Sequence, residues 1–281
     1  MPEVFLPISV MLLISAVAGF AAVIVTRRKR NAGIVIAVGS ALVLVLHAAF
    51  LNDEIIIART LPWANVMFYG DSRLPAAALL AGSAYSLLRT PRWQRIMLSA
   101  ALIAFALYRV LGPVVGAPPE GLQNRWTNGM CRQSTTSTCS AAAAATALHS
   151  VGIATTESEV AQLCLTRSSG TSTLGLYRGL KMKTAGTAYT VAVYSGPVEG
   201  FLALPAAPAL VSIGAAQRVE NSQNAGRQFS LLPGGSHSVT VLGIGPDGTI
   251  DVADPFTGRQ HMTRANLEMI WGGEAIRIVR K

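Results

Sequence analysis

The sequence predicts two fold classes in one chain: an α-helical transmembrane region of four spans over residues 1–117, then an α+β domain with a mostly antiparallel sheet over residues 118–281. Three observations predict this. Hydrophobic side chains make up 51% of the chain and charged ones only 13%, too apolar a balance for an ordinary soluble protein. The long uncharged runs stop at "GPVVGAPPEGLQ", residues 112–123, where Pro and Gly cluster and the composition changes. Beyond that point helical patterns come first and strand patterns follow, the order of an α+β domain and not of alternating βαβ units.

The first two spans, 4–25 and 33–51, are apolar runs about as long as the roughly 20 residues that cross a bilayer. A signal peptide is the other reading of the first run, but its apolar stretch exceeds the 7–15 residues typical of one, and no small-residue cleavage site precedes "RRKR". Spans at about 70–88 and 96–115 complete the set. The basic clusters "RRKR" at 27–30 and "RTPRWQR" at 89–95 follow the first and third spans, as expected of a four-span chain whose cytoplasmic loops collect Lys and Arg. The lipid bilayer is thus an expected partner. The expected location is a bacterial inner membrane, with residues 118–281 facing the periplasm or exterior.

The formal charge of +9 does not indicate nucleic acid. Residues 1–117 carry 10 basic and 4 acidic side chains and residues 118–281 carry 13 and 10, so most of the excess orients spans. No G-x-x-x-x-G-K-[ST] phosphate loop is present, and no ATP is expected as a partner.

In the second region, "CSAAAAATALHSVG" reads as a helix ended by Gly152, with Ser and Thr before it available as caps. "ESEVAQLCL" and "TLGLYRGLKMK" suggest two more helices. Then the period changes: "AYTVAVYSG", "PALVSIG", "HSVTVLGIG", "TIDVADP" and "EAIRIVRK" are short, β-branched and bounded by Gly, Pro or Asp. "GPDG" at 245–248 signals a hairpin turn.

Cys139 opens the alanine-rich helix, where a helix N-terminus and a neighbouring imidazole lower a thiol's pKa and make it a nucleophile. A buried structural cysteine is the plainer reading of that residue alone. Four histidines compete as its base. His47 lies in a span and His149 about 15 Å along the same helix at 1.5 Å per residue, while His261 follows a turn. His237 begins a strand and is the choice. Asp254 ends the strand paired back through the 245–248 turn and is placed to orient the imidazole. Gln133 stands in the loop entering the helix, where its amide and the Cys139 backbone N–H can face an oxyanion.

Gln133, five intervening residues, Cys139 and an Ala-rich helix, followed by strand-opening His237 and then Asp254-Pro255, resemble the papain-like cysteine peptidases that remove double-glycine leaders from bacteriocins. The resemblance covers residues 124–281. It implies a papain-like fold, Cys139 as nucleophile, His237 as base, Asp254 as its orienter, Gln133 in the oxyanion hole, a peptide or protein substrate and no cofactor. Thr138 and Ser140 depart from it, since an acidic or small residue and a glycine are more usual around that cysteine. Two other functions use the same residues: a peptide-binding or partner-binding module without catalysis, and acyl transfer to an amine.

Three cysteines in an oxidising compartment suggest one pair and one free thiol. Cys131 and Cys164 are the candidate disulfide, with two buried thiols as the alternative. Zinc is not expected, because the spacing lacks close cysteine pairs.

Overall fold

A computed structural model describes residues 2–51, 55–213 and 237–281. The chain divides into two compact units, one of Met1–Ile57 and Asn65–Val115, the other of Ala58–Ala64 and Gly116–Lys281.

The first unit is helical: α1 (Pro2–Arg28), α2 (Arg30–Leu46) running into a π-helical turn at His47–Leu51, the short α3 (Ile56–Thr60) and α4 (Val66–Tyr69), then α5 (Arg73–Leu87) and α6 (Arg92–Val115). Among the described residues two helices are long and apolar enough to cross a membrane, Glu3–Arg28 and Arg30–Phe50, with mean hydropathies of 2.7 and 2.4. Four spans are not supported, and the expected span at 70–88 shows why. Its helix has 15 residues, a length of roughly 22 Å against the roughly 30 Å of a bilayer core. Its apolar residues face protein: Leu74, Ala76, Ala77 and Ala81 are buried where α5 packs on α1, α2 and α6. Small residues permit that packing, since a Cβ on Gly82 would meet the Gly19 carbonyl oxygen of α1 at 2.3 Å. At the start of α5, buried Asp71 takes a two-pronged contact from Arg73 (Nε–Oδ1 2.9 Å, Nη2–Oδ2 2.6 Å), and His47 Nδ1 lies 2.8 Å from Ser72 Oγ.

The second unit is an α+β domain. β1 (Arg125–Thr127) and β2 (Met130–Arg132) form a hairpin around Asn128 and Gly129, both at positive φ (51° and 74°) as a tight two-residue turn demands. Helices α7 (Cys139–Ser150), α8 (Glu157–Leu163) and α9 (Thr173–Thr184) follow. After them come β3 (Tyr189–Ser195), α10 (Val198–Leu202), β4 (Ala209–Ile213), β5 (His237–Ile244), β6 (Ile250–Asp254), β7 (Gly258–Met262), α11 (Arg264–Ile270) and β8 (Trp271–Arg280). The six larger strands make one sheet in the order β3-β8-β4-β5-β6-β7, every pair antiparallel. β1, β2 and β7 are absent from the sequence reading.

Strand β5 shows how the sheet divides its faces. Val239 and Val241 join a core with Val211, Ile250, Val252 and Leu267, whereas Ser238 and Thr240, the alternate residues, meet α7. Ala141 to Ala145 of α7 are all fully buried, and methyl-sized side chains let the helix lie close to the strand. Helix α7 and strands β5 and β6 are thereby the elements that carry Cys139, His237 and Asp254.

Candidate active site

Cys139 is the first residue of α7. Thr138, at the N-cap, does not cap the helix as the sequence suggested. Its hydroxyl instead donates to the Thr135 carbonyl (3.1 Å) and accepts from the Thr135 N–H (3.1 Å), which folds the 135–138 loop on itself. The first N–H groups of α7 therefore lack a side-chain cap and remain donors at the end of the helix that carries partial positive charge.

His237 opens β5 and Asp254 closes β6, and the antiparallel pairing of these strands brings their ends together. His237 Nε2 lies 2.9 Å from Asp254 Oδ1, and the same oxygen accepts from the N–H groups of Phe256 (2.7 Å) and Thr257 (3.2 Å). The Cys139 thiol lies close enough to His237 for the imidazole to lower its pKa. With Nε2 on the carboxylate, Nδ1 is the ring nitrogen left for sulfur. Cys139 and His237 are half-buried and Asp254 is 2% exposed.

Burial disfavours charge on all three groups, and their mutual contacts outweigh it. Burial pushes the Cys139 thiol up, but the His237 hydrogen bond and charge, the Ser238 backbone N–H and the Ser140 hydroxyl hold it below its ordinary value. Burial lowers His237, yet its hydrogen bonds to Asp254 and Cys139 push it up to about 9. Asp254, which burial would raise, is held below the usual carboxylate range by His237 and the two backbone N–H groups. The arrangement favours a thiolate beside an imidazolium.

Gln133 sits in the loop ahead of α7. Its backbone N–H donates to the Pro255 carbonyl (3.1 Å), tying the loop to the segment after Asp254, and its side-chain Nε2 donates to the Thr135 carbonyl (3.0 Å). Its buried Oε1 has no partner among the described residues. The rejected histidines lie elsewhere: His149 packs on Trp126 with ring centroids 4.8 Å apart, and His261 lies 3.8 Å from Asp251.

Cys131 and Cys164 stand as two buried free thiols, the alternative that the sequence left open beside a disulfide. Cys131 lies in β2, where its N–H donates to Thr146 Oγ1 of α7 (3.0 Å). Cys164 caps α8, its sulfur against the Leu176 carbonyl of α9 (3.9 Å). Different packing partners hold them, and burial pushes each to about 12.

Two features of the site carry no local sequence signal. Fully buried Glu157 accepts from the Ser134 N–H (2.8 Å) and hydroxyl, and so anchors the Gln133 loop to α8. Ser238 and Ser140, the residues after the histidine and the cysteine, meet with oxygens 2.8 Å apart. Among the described residues no group of three or more His, Cys, Asp or Glu side chains is placed to hold a metal ion.

No family model matches the chain, and no curated protein does. Three solved structures are similar to it in part. The peptidase domain of Streptococcus ComA, a bi-functional ABC transporter involved in quorum sensing, aligns over 53% of this chain and 96% of its own, at 17% identity and a TM-score of 0.40. A double-glycine motif protease from an AMS/PCAT transporter, in complex with the leader peptide, aligns over 60% and 96%, at 13% identity and 0.41. The peptidase domain of Streptococcus mutans ComA aligns over 54% and 98%, at 17% and 0.37.

Proposed function

We propose that residues 118–281 are a papain-like cysteine peptidase domain that cleaves a peptide or protein substrate, held at a membrane by the apolar helices before it. The observation that carries this reading is the His237–Asp254 hydrogen bond beside a sulfur at a helix N-terminus, with the imidazole lowering the thiol's pKa. A binding groove without chemistry gains nothing from a thiol beside an imidazole that is held by a buried carboxylate.

The Cys139 thiolate attacks the scissile carbonyl carbon, and the carbonyl oxygen takes the negative charge. The Cys139 backbone N–H and the Gln133 amide, whose second N–H is not used by Thr135, are the donors assigned to it. Protonated His237 passes its proton to the departing amine as the C–N bond breaks, leaving an acyl thioester on Cys139. Neutral His237 then takes a proton from water, which attacks the thioester and releases the acid and the thiolate. Asp254 keeps the ring oriented and stabilises its charged form.

The peptide to assay first is one with a double-glycine leader, because the Gln133, Cys139, His237 and Asp254 pattern resembles the peptidases that act on those. Full-length wild type in membranes cuts such a peptide and Cys139→Ala does not. Equal cutting by both would sink the proposal.

Helices Glu3–Arg28 and Arg30–Phe50 are the proposed anchor. The basic turn between them, Arg27 to Arg30, belongs on the cytoplasmic side by the positive-inside rule. Two spans, like four, then return the chain to the periplasmic or outer side.

A further inference from the structure

Ser140 and Ser238 are 6% and 9% exposed, and their hydroxyl oxygens lie 2.8 Å apart. One follows the cysteine on α7, the other follows the histidine on β5. A pair of hydroxyls has two hydrogens, and the bond between them uses one; buried polar hydrogens are seldom left without an acceptor. Among the described residues, the acceptor beside this pair is Cys139 Sγ, 4.0 Å from Ser140 Oγ. Both hydrogens find an acceptor within this group when Ser238 donates to Ser140 and Ser140 turns its own O–H toward sulfur.

We infer that Ser140 and Ser238 act as a single positioning pair, which aims one hydroxyl dipole at Cys139 to favour its thiolate and fixes α7 against β5 where sulfur and imidazole meet. The inference rests on the peptidase reading in taking the thiolate as the working form. At 4.0 Å the contact is at the outer limit of a hydrogen bond to sulfur, so the hydroxyl acts as an oriented dipole in a site of low dielectric. The alanine face of α7 explains the need for a polar tie. Methyl groups pack without directional preference, whereas a hydroxyl pair fixes one register. Other titratable groups facing the sulfur among the described residues are His237 from β5 and, behind it, Asp254 from β6.

A second tie on the same interface supplies the control. Thr240 Oγ1 donates to the Ala143 carbonyl (2.8 Å), two residues along the strand and one turn along the helix, away from Cys139. Thr240→Val removes that bond without touching the sulfur.

The test is the pH dependence of Cys139 alkylation by iodoacetamide in the full-length protein, read by mass spectrometry of the Cys139 peptide so that Cys131 and Cys164 do not contribute. In Ser140→Ala, in Ser238→Ala and in the double variant the midpoint rises by about one pH unit, to the same extent in all three because the hydroxyls act as a unit. Ser238→Thr keeps a hydroxyl and restores the wild-type midpoint; Thr240→Val leaves it unmoved. A low wild-type midpoint that Ser140→Ala and Ser238→Ala do not shift overturns the pair and spares the peptidase reading. An equal rise in Thr240→Val also overturns it, since loosening of the interface then accounts for the effect. A wild-type midpoint at about 8.5, the value of a free thiol, overturns the activated nucleophile beneath both.

Discussion

Cys139 and His237 shift in opposite directions, the thiol below its ordinary value and the imidazole above. Burial works against both charges, and each is held by the other, by Asp254 and by the dipoles around them. The sign of each shift sets the pH profile. A thiol below its ordinary value loses its thiolate only as pH falls through that lowered value, and an imidazole at about 9 loses its proton as pH rises through 9. The cleavage rate under kcat/KM conditions should trace a bell with its alkaline limb near 9. His237→Ala should abolish cleavage and slow alkylation of Cys139 at pH 6 by tenfold or more, by roughly the loss of one pKa unit of stabilisation. A profile that climbs through 9 as a free thiol titrates would contradict the ion pair. The order of Gln, Cys, His and Asp was legible in the sequence because each sits at an element boundary with a local signature, a helix start, a strand start or an Asp-Pro turn. Ser238 and Glu157 were not, because their contacts join residues 98 and 23 apart and leave no local pattern. The choice between a Cys131–Cys164 pair and two buried thiols was open in the sequence for a related reason. An odd count says nothing of where each thiol is packed, and Cys131 and Cys164 are occupied by α7 and α9 respectively.

Helices in this chain pack where side chains are smallest. α9 crosses the end of α8 at Gly175, where an added Cβ would meet the Cys164 carbonyl oxygen at 2.5 Å, and at Gly179 one turn on, where it would meet the Cys164 sulfur at 2.3 Å. Gly175→Ala meets backbone that cannot turn aside, so α9 must shift. Alanine's helix propensity offsets part of the strain, by about 1 kcal/mol. The net expectation is a destabilisation of about 1–3 kcal/mol, seen as an earlier loss of activity on heating, and an unchanged or later loss would contradict the packing. The same property explains what was and was not legible. The three helices and five strands read from periodicity all form. The stretch at 74–88 looked like a span because "LPAAALLAGSAYSLL" is apolar. Apolarity cannot distinguish a helix facing lipid from one buried among other helices, and α5 is the second kind. β7 was missed because "GRQHM" has little β-branched content, and its pairing with β6 supplies what propensity does not.

At the scale of the whole molecule the chain joins a helical unit to a unit that carries the candidate site. The expected four spans fall to two candidates, but an even number keeps the side of the membrane that the basic turn at 27–30 assigns. A reporter active only after export, fused after Lys281, should therefore be active; a silent one, beside a fluorescent cytosolic reporter at the same point, would reverse the topology without touching the site. The proposed reaction requires Cys139 to attack a peptide carbonyl and carry the acyl group. The most direct measurement is mass spectrometry of the full-length protein mixed with a double-glycine leader peptide and quenched in acid within the first turnover. The mass of the acyl fragment should appear on the peptide containing Cys139, absent in Cys139→Ala and lost to hydroxylamine as a thioester is. Cleavage of the peptide with no adduct on Cys139, and undiminished in Cys139→Ala, would contradict it.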